Sequence, residues 1–127
     1  ATKKKDKLII NGNDYDTLDG TPIRDFIHVS DLAEMHYLSS KHLIKGKNSE
    51  IFNCGYGTGF SIMEVVNNMN KILQKTLPTI IGERRDKDIK SSIANVQKFK
   101  DYFNWEPKFN DLKHILKTSY EWEKKLN

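Results

Sequence analysis

The clearest hydrophobic pattern in the chain predicts a helix over residues 61–73. Ser61 is a favourable N-cap, and Glu64 stands at the position that completes a capping box. Apolar residues then recur at helical spacing, at Ile62, Val65, Val66, Met69, Ile72 and Leu73. Because these residues share one face, the segment is predicted to pack that face against a core.

Three further segments have helical patterns. Ser30 or Asp31 offers an N-cap, with Glu34 closing a capping box, for a helix that ends near Gly46. Its apolar positions are Leu32, Met35, Leu38 and Leu43. A short helix is predicted over Val96, Phe99, Tyr102 and Phe103, ending at Asn104, which tolerates left-handed backbone. The last helix starts near Asp111, with a predicted buried face of Leu112, Ile115, Ser119, Trp122 and Leu126.

Between these helices lie short runs that are typical of strands. Residues 8–10, 26–29, 51–54 and 78–81 are apolar or β-branched and border turn-forming residues. Short strands that alternate with helices predict an α/β fold. A doubly wound domain needs several strand–helix units, so this set predicts an incomplete one.

Composition fits a single globular domain. The chain has 127 residues, of which 37% are hydrophobic and 30% charged. No stretch approaches the roughly 18 consecutive apolar residues of a membrane span, which predicts no membrane association. One cysteine, Cys54, excludes an internal disulfide and predicts a cytoplasmic location. The chain begins without methionine or a signal-like apolar segment, and we expect a cut or processed protein.

The net charge of +4 comes largely from Lys3, Lys4, Lys5 and Lys7. Such a cluster could bind nucleic acid or a protein partner. No aromatic residues are interleaved with it to stack on bases, so a solvated surface is favoured over a nucleic-acid site.

The glycine-rich run at residues 55–59 lies between a predicted strand and a predicted helix, where phosphate could be bound. Its spacing is G-x-G-x-G, whereas dinucleotide-binding loops have G-x-G-x-x-G followed about 20 residues later by an acid. Residue 60 is Phe, and residues 76–82 contain no acid. A tight turn is therefore the favoured interpretation.

The arginines suggest an anion site. Arg24 precedes a predicted strand, and Arg84 and Arg85 share a loop with Asp88. Two guanidinium groups from separate segments suit a diphosphate, and a nearby carboxylate suits ribose hydroxyls. Surface ion pairs are the alternative. The four histidines lack the spacing of a metal site, and no nucleophile has a base nearby, so no catalytic group is predicted.

Several segments together resemble the UDP-glucose 4-epimerases among the extended short-chain dehydrogenase/reductases. They are residues 12–15, 19–33, 52–61 and 104–107, with Arg84, Arg85 and Asp88 in the same order. The resemblance implies that residues 1–127 form the C-terminal, UDP-sugar-binding part of an NAD-dependent epimerase, with an incomplete Rossmann domain. The N-terminal NAD-binding domain, with its Tyr-x-x-x-Lys catalytic pair, is expected to be absent from this chain. Tyr37 and Lys41 have that spacing, but they follow the 24–29 segment, whereas the family's pair precedes it.

The resemblance also implies roles for individual residues. Arg24 and Arg85 are expected to contact the UDP diphosphate, and Asp88 the ribose. Phe26 is expected to line the nucleotide site, and the strand with Ile9, Ile10 and Asn11 to hold uracil, although Asn11 replaces an aromatic residue. Ser92 faces the sugar, where a small side chain is expected to admit an N-acetyl group.

The family reaction interconverts UDP-glucose and UDP-galactose through a 4-keto sugar on bound NAD, in a homodimer. Lys87 replaces the glycine that usually stands in the arginine loop. The isolated chain is expected to be inactive. The alternatives are a non-catalytic nucleotide-sugar-binding fragment and a related nucleotide-sugar epimerase or dehydratase.

Overall fold

The computed structural model describes residue 2 and residues 6–126, and its elements are named here in chain order. The strands and helices in this part of the chain are β1 (Leu8–Asn11), β2 (Ile23–Arg24), α1 (Val29–Ile44), β3 (Phe60–Ser61), α2 (Ile62–Leu73), β4 (Thr79–Gly82), β5 (Ser91–Ser92), α3 (Gln97–Phe103) and α4 (Leu112–Lys125). None of these helices combines the length and the apolar character that a membrane span requires.

The strands form two small sheets. β1 pairs in parallel with β4, with Asn11 opposite Gly82. In the second sheet β2 lies between β3, to which it is antiparallel, and β5, to which it is parallel. The register places Arg24 opposite Ser92. The two sheets therefore bring residues from distant parts of the sequence to one region of the fold.

The main core lies between α1, α3 and α4. Its buried members are Met35, Tyr56, Val96, Phe99, Trp105 and Ile115. Phe99 is in contact with the rings of Phe52 and Trp105, both nearly perpendicular to it, with centroids 5.4 and 5.6 Å away. Edge-to-face aromatic packing of this kind adds to the free energy of burial.

Three of the helix predictions are confirmed in their capping details. Ser61 and Glu64 form the predicted reciprocal capping box at the start of α2. Asn104 ends α3 with φ of 48°, in the left-handed region. Asp111 caps α4 by accepting the His114 N–H at 2.6 Å. The strand predicted at residues 78–81 is also present, as β4.

The predicted N-terminus of α1 is wrong. Neither Ser30 nor Asp31 is the cap: the cap is His28, whose Nδ1 accepts the Ser30 N–H at 3.1 Å. Asp31 is instead fully buried, where its carboxylate accepts the backbone N–H groups of Lys108 and Phe109. The local pattern failed to predict the cap because the Asp31 carboxylate accepts hydrogen bonds from backbone groups that are distant in sequence.

The strands predicted at residues 26–29 and 51–54 are absent, since neither segment pairs with another strand in the described residues. The buried face predicted for α4 is only half right. Leu112 and Ile115 are buried, but Ser119 is exposed, and Trp122 and Leu126 are 61% and 58% exposed. The apolar pattern extends along the helix beyond the part that this core covers.

Candidate functional site

Arg24 and Asp88 form the central contact of the candidate site. The Arg24 Nη2 lies 2.5 Å from Asp88 Oδ1, and the two side chains are 25% and 23% exposed. Arg24 is held by β2, whereas Asp88 lies in the loop between β4 and β5. The sequence analysis predicts that both residues contact a bound nucleotide, and the structure shows that they form an ion pair with each other.

Tyr15 is a member of this cluster that sequence reasoning missed. Its hydroxyl donates to Asp88 Oδ2 at 3.1 Å, so that both carboxylate oxygens are bonded. The Arg84 guanidinium stacks on the Tyr15 ring, 3.9 Å from the centroid, and Arg84 Nη2 donates to the Asp88 backbone oxygen at 3.2 Å. Burial, and then the Asp88 carboxylate, raise the pKa of Tyr15 and keep its hydroxyl protonated as a donor. No local pattern could reveal a pair that is 73 residues apart.

Asn11 and Arg85 form a second pair close by. With its oxygen turned to Arg85, the Asn11 amide accepts from both Nη2 and Nε, each at 3.1 Å. Gly12 follows Asn11 with φ of 87°, and a Cβ there would lie 3.0 Å from Tyr15 and 3.1 Å from Arg84. The glycine therefore permits the close approach that brings the β1 end and the arginine loop together.

Ser92 lies beside Arg24, in a cavity of about 590 Å³. The lining residues are Arg24, Asp25, Phe52, Asn53, Cys54, Ser92, Ile93 and Ala94. Ser92 is exposed, and its small side chain leaves this space open. Burial raises the pKa of the Cys54 thiol, which disfavours the reactive thiolate.

The glycine-rich run is a structural turn, as predicted. The Asp25 carboxylate accepts the N–H groups of Tyr56 at 3.0 Å, Gly57 at 2.9 Å and Ala94 at 3.2 Å. Gly57 has φ of 74°, and a Cβ on Gly55 would lie 2.5 Å from Asp25. Since a side chain of the chain itself occupies these amides, the run does not fit the phosphates of NAD.

The remaining predicted site residues are less closely associated with the cluster around Arg24 and Asp88. Ile9 is 55% exposed, whereas Ile10 is 1% exposed, so the Ile10 side chain belongs to the core. Phe26 is half-buried and does not line the cavity. Of the basic cluster, Lys3, Lys4 and Lys5 lie outside the described residues, and Lys7 is exposed. No group of three or more potential ligands in the described chain is arranged to hold a metal ion.

Comparison with known proteins gives consistent matches. The profile of the NAD dependent epimerase/dehydratase family matches residues 1–55. A UDP-glucose 4-epimerase of Azospirillum brasilense is 40% identical over 97% of this chain, which covers 35% of that protein. The solved UDP-Glc/GlcNAc 4-epimerase of Campylobacter jejuni superimposes with a TM-score of 0.84 at 42% identity, over 97% of this chain and 37% of its own. The Bifidobacterium longum UDP-glucose 4-epimerase, solved with NAD+ and UDP, gives a TM-score of 0.85 at 31% identity, over 96% and 36%.

The chain thus spans about a third of the length of the relatives that it matches. Its short strands and helices match part of the α/β fold of extended short-chain dehydrogenase/reductases. Over nearly all of its own length, the chain is a homologue of the C-terminal part of the UDP-glucose 4-epimerases.

Proposed function

We propose that residues 1–127 are the UDP-sugar-binding part of an NAD-dependent UDP-glucose 4-epimerase. The observation that carries this proposal is the clustering of Arg24, Asp88, Arg85 and Asn11, from three segments, at one edge of the fold of an epimerase relative. Two arginines and a carboxylate are the groups that suit a ribonucleoside diphosphate.

In this proposal the chain contributes positioning. Arg24 and Arg85 bind the diphosphate through their planar guanidinium groups, and Asp88 accepts hydrogen bonds from the ribose hydroxyls. Binding of the UDP moiety fixes the position of the attached sugar relative to the reacting groups. NAD would supply the hydride chemistry from a part of the protein outside this chain, because the glycine-rich turn here does not fit it.

The free Cys54 supports a reducing, cytoplasmic location for the protein. Dimerisation of the full-length protein stays a prediction.

A chimera tests the proposal. The chain would replace the matching third of the Azospirillum brasilense UDP-glucose 4-epimerase, and conversion of UDP-galactose to UDP-glucose would be measured. Arg85→Ala is expected to lower kcat/KM by about 100-fold, the scale of a lost charged contact to phosphate. Lys90→Ala is the matched control, because Lys90 lies in the same loop but pairs with the exposed Asp16. An active chimera in which both variants behave alike would contradict the assigned role of Arg85.

We further propose that the site accepts UDP-N-acetylhexosamines as well as plain UDP-hexoses. The exposed Ser92, the cavity of about 590 Å³ and the similarity to a UDP-Glc/GlcNAc 4-epimerase support this. Ser92→Tyr would fill the cavity, and we expect it to lower activity on UDP-GlcNAc by at least about tenfold relative to UDP-glucose. Ser91→Tyr, at the neighbouring position in β5, is the control for a bulky residue in this strand. If Ser92→Tyr leaves the ratio of activity on UDP-GlcNAc to activity on UDP-glucose unchanged, the size of residue 92 does not control acceptance of the N-acetyl group.

A further inference from the structure

The side of α1 that faces away from the core exposes apolar residues that nothing in the described chain covers. Asp31 and Met35 are buried on one side of the helix. On the opposite side Val29, Tyr37 and Ile44 recur at helical spacing and are exposed, Ile44 to 85%. A surface helix normally has one apolar stripe, and a helix that is apolar on two sides is normally buried on both. The exposed stripe therefore indicates a second packing partner for α1.

The segment that follows α1 exposes unpaired backbone groups next to this stripe. Residues 47–54 form neither a helix nor a turn. Among the described residues, the N–H groups of residues 50–54 donate to no other backbone group. Ile51 is 86% exposed, and Glu50 and Phe52 line a small cavity together with Leu43 at the end of α1. The exposed stripe of α1 and residues 50–54 thus form one continuous surface, which we call the docking surface.

The properties of residues 50–54 fit a strand that lacks its partner. Residues 51–54 have the composition of a strand, but neither sheet of the described chain reaches them. Unpaired backbone groups of this kind are a template for pairing with another strand. In α/β folds a helix packs on the face of a sheet, and the strand that follows the helix joins the same sheet. The docking surface is therefore suited to a sheet that the described chain does not contain.

The longer relatives indicate where that sheet comes from. The chain spans about a third of their length, and the family profile matches residues 1–55, which include the whole docking surface. We propose that the docking surface binds the N-terminal part of an epimerase. Residues 50–54 add a strand to the edge of its β-sheet, and the exposed stripe of α1 packs on the face of that sheet. This contact joins two parts of the protein and does not depend on the binding of UDP.

Co-expression tests the proposal. The 127-residue chain would be expressed with an affinity-tagged Azospirillum brasilense UDP-glucose 4-epimerase that ends where its match to this chain begins, and the amount of chain captured would be measured. We expect capture of the unaltered chain, and at least about tenfold less capture of Ile51→Asp and of Ile44→Asp, because each substitution places a charge in an apolar contact. Leu18→Asp is the matched control and should be captured like the unaltered chain, because Leu18 is fully exposed in the loop between β1 and β2, outside the docking surface. Equal capture of all four chains overturns the proposal.

Hydrogen exchange of the chimera described above tests the added strand without requiring the two parts to fold separately. The amides of residues 50–54 should exchange at least about tenfold more slowly in the chimera than in the isolated chain, because hydrogen bonds to a neighbouring strand protect them. Equal exchange in the two proteins overturns the strand pairing, and together with a lack of capture it overturns the docking surface. A second copy of the chain is the other possible occupant. If the isolated chain forms a dimer that Ile51→Asp dissociates, and the tagged protein captures nothing, the second copy is the occupant and the proposal is overturned.

Discussion

Replacement of Asp25 by alanine should destabilise the whole region around the candidate site. The Asp25 carboxylate accepts backbone N–H groups from Tyr56, Gly57 and Ala94, at 2.9 to 3.2 Å. It therefore joins the glycine-rich turn to the segment that follows β5. Asp25→Ala leaves three backbone donors without this acceptor.

The size of the effect follows from these three bonds. A hydrogen bond to a charged group contributes about 1.5–3 kcal/mol where water is excluded. Gly57 is exposed and Asp25 is half-buried, so water can replace part of what is lost. We expect Asp25→Ala to lower the free energy of unfolding by about 3 kcal/mol. Asp25→Asn keeps one acceptor oxygen and should lower it by about half as much.

Urea unfolding followed by tryptophan fluorescence measures this change, because Trp105 is buried in the core next to Phe99. Asp86→Asn, which changes an exposed carboxylate in the loop between β4 and β5, serves as the control and should alter the free energy of unfolding by less than about 0.5 kcal/mol. The slope against urea should stay constant across the variants, so that midpoints report stability alone. A loss in Asp25→Ala of less than about 1 kcal/mol, or one equal to the control, would refute the view that this carboxylate holds the turn.

Two further substitutions test the same region. Gly55→Ala should destabilise the chain by about 1–3 kcal/mol in urea unfolding, because the added Cβ would lie 2.5 Å from Asp25 and 2.6 Å from Ala94; a neutral result would show that the turn can shift. Burial, and then a 2.5 Å hydrogen bond to Asp31, raise the pKa of Tyr56. Since the folded state keeps this proton more tightly than the unfolded state does, stability should be constant below about pH 10 and fall above it. The raised pKa of Tyr15 contributes in the same direction, so Tyr56→Phe should reduce the decline above about pH 10 rather than abolish it. If the decline is as steep in Tyr56→Phe as in the unaltered chain, Tyr56 is not its source.

The helix caps that sequence reasoning predicted correctly are those whose partners lie within one helical turn. Ser61 and Glu64 are three residues apart, and Asp111 caps a residue three positions on. Such contacts are properties of the local backbone, so composition and spacing suffice to predict them. Asp31 has an equally good local pattern, yet its carboxylate binds backbone groups 77 and 78 residues away. Local reasoning could not anticipate a competitor so distant in sequence.

The two strands predicted in error show a different limit. Residues 26–29 and 51–54 have the composition of strands, but a strand exists only when another strand takes its backbone hydrogen bonds. In the first segment the chain turns into α1 at His28, which caps the helix. In the second, Asn53 donates to the Asn95 backbone oxygen and Lys98 to that of Ile51, so side chains rather than a ladder hold the segment.

For the candidate site, the sequence allows residue types to be proposed but not the contacts that those residues make with one another. The chemistry of guanidinium and carboxylate groups indicates a phosphate and a ribose wherever they occur together. That Arg24 meets Asp88, 64 residues on, and that Tyr15 holds the other oxygen, depends on how β2 and the arginine loop approach each other. A list of ligand contacts treats these residues as independent contributors. Because Arg24, Asp88 and Tyr15 contact one another, a substitution at one of them also changes the contacts of the other two, so their separate effects on ligand binding should not be additive.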